Sequence, residues 1–330
     1  MKHFKGSFIV TALGLTLALI LGGFSALYIV ALLAILEISL SFDNAVVNAK
    51  VLGDMEAKWQ ERFITWGMPI AVFGMRFLFP ILIVAIASGT GVLDTFNMAI
   101  NNPHEYKESL ESVEQLIYAF GGAFLLMVFL EFIFDLDKEE QWIKIIENSK
   151  AVHLIGKIEM SKMIIAMGLG VSLIVMTSSV SVALAYFSGI LLHAFISSLD
   201  KVFNVNGIRQ GIVGLLYLEV LDASFSFDGV IGAFALSSDL FIIMIGLGIG
   251  AMFVRSLTLY MVKENTLAEY QYLEHGANYA ILALALMMFV KMFMPVPEVL
   301  IGTIGVSFIA LSAYHSVQAN KKSVKVLAEK

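Results

Sequence analysis

Cysteine is absent from all 330 residues, so no disulfide, no thiolate metal site and no thiol redox chemistry is open to this chain. Charge is scarce as well: 15% of residues are Asp, Glu, Lys or Arg, against roughly a quarter in ordinary soluble domains. The net charge is −6 and no basic stripe runs through the sequence, which excludes a nucleic-acid partner. What fills the chain instead is apolar. Hydrophobic residues make up 59% and the mean hydropathy is +0.86. A soluble fold of this length has too little interior to hide that surface, whereas a lipid bilayer solvates it.

Crossing ~30 Å of hydrocarbon takes about 20 apolar residues in a helix. Stretches of that kind fall near 7–22, 24–51, 62–88, 114–136, 160–177, 179–199, 210–237, 240–262, 277–294 and 297–317. Two of them depend on breaks, at Gly22-Gly23 and at Thr177-Ser178-Ser179, because the uninterrupted runs are too long for one crossing. The start has a basic Lys2, His3 and Lys5 before an apolar run from Phe8 to Leu21; it resembles a signal peptide but lacks a small-residue cleavage site, so it is read as an uncleaved first helix. With the N-terminus in the cytoplasm, seventeen Lys and Arg fall on the cytoplasmic side, Lys107 and Lys291 fall outside, and Arg76 and Arg255 lie within spans. That asymmetry is the positive-inside bias. The expectation is therefore an all-α, polytopic protein of a cell membrane (a bacterial inner membrane), with about ten transmembrane helices and both termini cytoplasmic. The outer segment 89–113 carries Asp94, Glu105, Glu108 and Glu111; it reads as a solvated loop or as an electronegative mouth.

Two passages resemble each other. Glu37-Ile-Ser-Leu-Ser-Phe-Asp43 and Asp222-Ala-Ser-Phe-Ser-Phe-Asp228 both read acid-x-Ser-x-Ser-Phe-Asp. In each half a further span follows in which an arginine stands nine residues after a glycine: Gly67 to Arg76, and Gly246 to Arg255. The two acidic helices are five spans apart, an odd number, so the halves would be antiparallel. This predicts two inverted five-helix repeats, 1–177 and 178–330, with a site near the midplane where they meet.

Charged groups in the bilayer centre cost at least ~2.5–3.5 kcal/mol each on insertion scales. Here Glu37, Asp43, Glu219, Asp222 and Asp228 face only Arg76 and Arg255. Buried ion pairs would account for part of this set, but the acids outnumber the arginines, and the missing positive charge is a proton, a metal ion or both. The nearby donors are carboxylates, the hydroxyls of Ser39, Ser41, Ser224 and Ser226, and the amide of Asn44. These are hard oxygen ligands of the kind that suit Mg, Ca and Mn. Glu37, Ser41, Asn44 and Asn48 share one helical face while Ser39 and Asp43 share another, so this helix is buried on two sides or unwinds near Ser41–Asn44. Gly229 and Gly232 would tolerate unwinding after Asp228. The metal candidates are thus Asp43, Asp228, Asn44, Glu37 and Asp222. Arg76, Arg255, Glu219, Ser41 and Ser226 take coupling or structural roles. His193 reads as a packed or paired histidine before a ligand, and Glu131 with Asp135 as an interfacial cluster or an entry site. Segment 137–160 reads as an interfacial helix.

At these motifs the chain resembles the TerC-like tellurium-resistance membrane proteins, within the wider group that contains the LysE-type exporters. The residues that carry the resemblance are Glu37-Ile-Ser-Leu-Ser-Phe-Asp-Asn-Ala-Val-Val47, Leu218-Glu-Val-Leu-Asp-Ala-Ser-Phe-Ser-Phe-Asp-Gly-Val230, the two arginine helices, and Leu267-Ala-Glu-Tyr-Gln-Tyr-Leu-Glu-His-Gly276. They cover most of residues 24–310 and look like a branch catalogued as a domain of unknown function. The resemblance implies manganese efflux or metal-ion homeostasis, with Asp43, Asn44 and Asp228 in contact with the metal. The sequence departs from better-known members at Gly229, where they carry Ser.

The expected function is a transporter of a divalent cation, Mn²⁺ first, with a proton as candidate counter-ion, no resident cofactor and no enzymatic activity. The alternative is a non-transporting membrane scaffold whose acids are structural ion pairs. An intramembrane aspartyl hydrolase ranks low, because inverted halves place Asp43 and Asp228 at different depths. An oxyanion carrier using Arg76 and Arg255 conflicts with the excess of acid.

Overall fold

The structure is a computed structural model that describes residues 2–328 apart from 137, 139, 159, 206, 207, 210 and 238. After a short 3-10 turn the helices run α1 (Lys5–Leu40), α2 (Phe42–Gly53), α3 (Ala57–Thr65), α4 (Gly67–Pro69), a π-helical segment (Ile70–Leu78), α5 (Phe79–Ser88), α6 (Val92–Asn101) and α7 (Pro103–Ile133). Then come α8 (Lys144–Glu147), α9 (Lys150–Gly156), α10 (Ser161–Thr177), α11 (Val180–Phe203), α12 (Gly211–Leu236), α13 (Leu240–Lys263), α14 (Thr266–Glu269), α15 (Leu273–Lys291) and α16 (Glu298–Ala328). Among the described residues the only strands are Asn204–Val205 and Ile208–Arg209, paired antiparallel in a small hairpin between α11 and α12.

Six of the described helices are long and apolar enough to cross a membrane, or up to eight if each of two bent pairs is one span. The bent pairs are Val72–Ser88 with Val92–Asn101, at 118°, and Lys150–Gly156 with Ser161–Thr177, at 102°. The chain is a multi-pass membrane protein. Its apolar side chains divide accordingly: Val30, Leu33, Phe124 and Ile281 are buried between helices, while Phe8, Ile20, Phe24 and Ile86 stand exposed where lipid would be the solvent.

The breaks explain how so apolar a chain turns. The 36 residues of α1 would make a rod of about 54 Å. Gly22 (φ −141°, ψ 19°) and Gly23 (φ 64°, ψ −155°) divide it, and a side chain at Gly23 would meet the steric penalty of positive φ. Ser178, at φ 50°, ends α10 before α11 reverses the chain. Both breaks fall where the length argument requires them. Ser41 (φ −104°, ψ 19°) separates α1 from α2, so the unwinding expected near Ser41–Asn44 is confined to one residue. Gly229 and Gly232 would tolerate unwinding after Asp228, and α12 stays helical through both.

Segment 89–113 is not the open loop the sequence suggests. It is filled by α6 and the first turns of α7, with Thr95, Ala99, Tyr106 and Leu110 buried. Glu105 therefore lies in the first turn of a helix, where the macrodipole favours negative charge, and Glu108 and Glu111 lie on its exposed face. Segment 137–160 likewise holds two short helices, α8 and α9, rather than one.

The first part of α1 lies antiparallel against α13, with Ser7 Oγ 2.7 Å from Ser256 Oγ. After the Gly22–Gly23 break, α1 turns and runs parallel to α13, bringing Leu33 against Gly246 and Glu37 against Gly250. A Cβ at Gly250 would fall inside van der Waals contact of the Glu37 stem and 3.1 Å from the Ala34 carbonyl oxygen. This glycine lets two backbones approach, as small residues do between membrane helices. Gly250→Ala should destabilise the fold by about 1–3 kcal/mol through overpacking, read as a lower Tm of the detergent-solubilised protein.

Candidate functional site

Three elements meet at the centre: the α1–α2 break, the π-helical segment and α12. Glu37 is in the last turns of α1, Arg76 is near the end of the π-helical segment, and Asp222 is midway along α12. All three side chains are buried, with 1% of the Arg76 side chain exposed. One Arg76 Nη2 donates to Glu37 Oε1, and Nη1 lies 3.4 Å from Asp222 Oδ2. Ser41 Oγ donates to the same Glu37 oxygen at 3.1 Å, and Asn44 Nδ2 donates to Asp222 Oδ1 at 2.7 Å. The guanidinium thus ties an acid of the first half to an acid of the second. π-helical turns open the i→i−4 ladder and recur at functional sites; here one carries the bridging arginine.

A second pair lies beside it. Arg255, on α13, donates through Nη2 to both Glu219 oxygens at 3.0 and 3.1 Å and through Nη1 to the Phe63 carbonyl at 3.0 Å. Its guanidinium carbon also stands 4.3 Å from the centre of the Phe63 ring. Glu219 is therefore a dedicated partner for the second arginine, one the repeated motif alone does not reveal, because the matching position in the first half is Ala34.

Asp43 differs from these acids. It is 5% exposed on the first turn of α2, and no Lys, Arg or His pairs with it among the described residues. Its Oδ1 accepts the Asn44 backbone N–H at 2.9 Å, and the carboxylate is otherwise held by its own backbone N–H. Its side chain lines a cavity of about 20 Å³ shared with Glu37, Ser41, Gly229 and Gly305, room for about one water-sized guest. Asn44 and Asp222 do not line it. Because Asn44 must turn its amide nitrogen to the Asp222 carboxylate, its Oδ1 points away and is left buried with no hydrogen-bond partner among the described residues. The Asn48 Oδ1, one turn further along α2, is in the same condition.

Of the residues the sequence singles out, the structure brings Glu37, Ser41, Asn44, Arg76 and Asp222 into one network, sets Glu219 and Arg255 in a second, and leaves Asp43 at the cavity. The side chains of Ser226 and Asp228 lie outside the described residues. Among the described residues no three His, Asp or Glu side chains gather as a ready-made metal cluster. Ser39 faces away from the network, exposed, with its hydroxyl on the Ile35 carbonyl. His193 is buried and paired, 3.3 Å from Glu131 and edge-on to Phe124. Glu131 and Asp135 line a separate cavity of about 210 Å³ with Lys50, Asp54, Lys138 and Glu274.

One further cluster joins a residue of the Leu267–Gly276 run to a distant segment. Glu147, the last residue of α8, is buried under the loop and lies 2.9 Å from His275 Nδ1 and 3.3 Å from the Tyr279 hydroxyl. His275 and Tyr279 are four residues apart on α15, so they share a face. Burial pushes the Glu147 carboxyl up, but the hydrogen bond and charge of His275, the Ile143 N–H and Lys138 together hold it below its ordinary range.

This arrangement defines a multi-pass α-helical membrane protein with a charged centre. Residues 42–323 match the family described as Protein of unknown function (DUF475), and the chain belongs to that family. No curated protein and no solved structure matches it.

Two outcomes test the site. Arg76→Met strands two buried carboxylates and should cost about 3–5 kcal/mol, while the triple variant Arg76→Met with Glu37→Gln and Asp222→Asn should recover much of that loss in thermal unfolding. Because its carboxyl is depressed in the folded protein, Glu147 contributes stability that is present above the ordinary carboxylate pKa and lost as pH falls through the folded value. Glu147→Gln should therefore flatten the acid limb of the stability profile below about pH 4 and leave its neutral side parallel to wild type.

Proposed function

We propose that this chain is a membrane transporter of a hard divalent cation, Mn²⁺ first, moving outward in exchange for a proton. The observation that carries the reading is Asp43: a buried carboxylate with no cationic partner among the described residues, beside a cavity the size of one small guest. Of the four described carboxylates, Glu37 and Asp222 share the Arg76 guanidinium and Glu219 takes that of Arg255, so Asp43 is left over. An uncompensated carboxylate in a low-dielectric interior binds a proton or a cation, and exchange of one for the other is how such residues couple fluxes. The cavity is lined by Glu37, Asp43 and Ser41, whose carboxylate and hydroxyl oxygens are hard donors of the kind that favour Mg, Ca and Mn. The finer architecture belongs to the same proposal: ten spans in two inverted repeats, 1–177 and 178–330, both termini cytoplasmic in a bacterial inner membrane, with Asp228 the counterpart of Asp43. So does the wider resemblance to the TerC-like and LysE-type group, which points toward manganese efflux.

A second reading rests on Arg76. A guanidinium shared between acids of the two halves is what a static scaffold would use to fix helix packing. The readings diverge at Asp43, which that pairing does not need. In vesicles of known orientation, Asp43→Asn should reduce Mn²⁺-dependent flux at least tenfold with little change in Tm, and Asp43→Asn with Asp228→Asn should abolish it. Equal manganese movement in wild type and the double variant would remove the transporter reading; a lower Tm with flux never detectable would favour the scaffold.

A further inference from the structure

A large cavity lies away from the charged centre. It is a cleft of about 760 Å³ between the α1–α2 junction, the last two turns of α13, α14 and the middle of α16. That volume is in the range of sites for drug-sized molecules, ~300–1,000 Å³. Its two ends differ in chemistry. The deeper wall is apolar and includes Ile38, Phe42, Leu257, Val306 and Ile309. The other end, where α13 stops, carries Tyr260, Glu264, Thr266, Glu269 and Tyr270. Leu257 to Glu264 spans seven residues, so about 10 Å of helix separates the apolar wall from the acids. Ser39 is the one polar side chain on the apolar wall, and its hydroxyl is turned back to its own helix.

The acids at this end are available. Glu264 and Glu269 have no Lys or Arg partner among the described residues, and the nearest basic group to Glu264 is His3 Nε2 at 3.8 Å. Two exposed carboxylates call for a cation with hydrogen-bond donors. The tyrosine and threonine hydroxyls beside them can donate to an anionic oxygen. An apolar trough that ends in both kinds of group fits an amphiphile with a hydrocarbon tail, a phosphodiester and a primary ammonium.

We propose that this cleft binds an aminophospholipid of the phosphatidylethanolamine type. Its acyl chain lies between α1 and α16, its phosphodiester meets Tyr260, Thr266 and Tyr270, and its ammonium donates to Glu264 and Glu269. The carboxylates set the preference. Phosphatidylcholine has no N–H to donate, and phosphatidylglycerol brings a negative headgroup with no ammonium to offset it. The site is separate from the transport reading, since Phe42 alone joins the cleft to the α2 helix that carries Asp43.

The test uses the full-length protein, purified from membranes of equal phosphatidylethanolamine, phosphatidylcholine and phosphatidylglycerol content, with retained lipid identified by native mass spectrometry. Wild type should retain phosphatidylethanolamine roughly tenfold over the other two. Glu264→Gln with Glu269→Gln should bring that ratio close to one while the acyl-chain binding persists. Ala310→Trp, which fills the cleft and keeps both acids, should reduce retention of all three lipids. Circular dichroism and elution volume identify any variant that misfolds, and wild-type selectivity alone then decides. Equal retention of the three lipids by wild type, an undiminished preference in the double glutamine variant, or a dimer whose interface closes the cleft would each overturn the proposal.

Discussion

The fold depends on one shared guanidinium. Arg76 is enclosed among helices and serves Glu37 from the first half of the chain and Asp222 from the second. In a hydrocarbon solvent there is no hydrophobic force to hold helix against helix, because lipid tails are as apolar as leucine. Association must come from close packing and from polar groups that have nowhere else to go. The arginine supplies the second and Gly246 and Gly250 allow the first, letting α13 press on the same stretch of α1 that carries Glu37. Neither would suffice alone. Packing without charge leaves the helices free to slide, and the buried pair without packing would admit water and lose its strength.

The two halves use their arginines differently. Arg76 reaches across to the opposite half, while Arg255 is satisfied by Glu219 on its neighbouring helix, by the Phe63 carbonyl and by the Phe63 ring. Glu219 has no counterpart at position 34, where alanine stands. If Arg255 mirrored Arg76, it would compete for Glu37 or Asp222 and neutralise the centre. Its private acid keeps it out of that competition. Arg255 is thus matched by an acid of its own, Arg76 is shared by two, and Asp43 is the described acid of the motif with no basic partner among the described residues.

Much of this was legible. Span length forced breaks at Gly22–Gly23 and at Ser178, since no helix of continuous hydrocarbon length fits a bilayer there. The order acid helix, arginine helix in both halves pointed to the residues that now form the central network. Other features were hidden because they depend on contacts between distant segments. Glu147 lies in a charged stretch that reads as an interfacial helix, and only the return of α15 gives it His275 and Tyr279. Segment 89–113 looks like a loop because its charges are dense, yet Glu105, Glu108 and Glu111 fall on the exposed face of α7 while Tyr106, Leu110 and Val113 face inward. The π-helical register around Arg76 left no mark in residue type, because it arises from the fit of that segment against α12 and α13.

The break at Ser41 gives the centre its chemistry. In an unbroken α-helix residues six apart point about 120° away from each other, so Glu37 and Asp43 would face different neighbours. The non-helical turn at Ser41 lifts that restriction, and both carboxylates line one small cavity. They arrive there in different states of engagement. Glu37 is held by Arg76 and by the Ser41 hydroxyl, and its free edge faces Gly229, where a Cβ would come within 3.0 Å of Oε2. Asp43 is held by backbone N–H groups of its own turn and, among the described residues, by no basic side chain. A fixed acid and an unpaired acid on one cavity wall form an asymmetric pair: the first sets the shape and field of the pocket, and the second remains free to change its charge state without loosening the bridge between the halves.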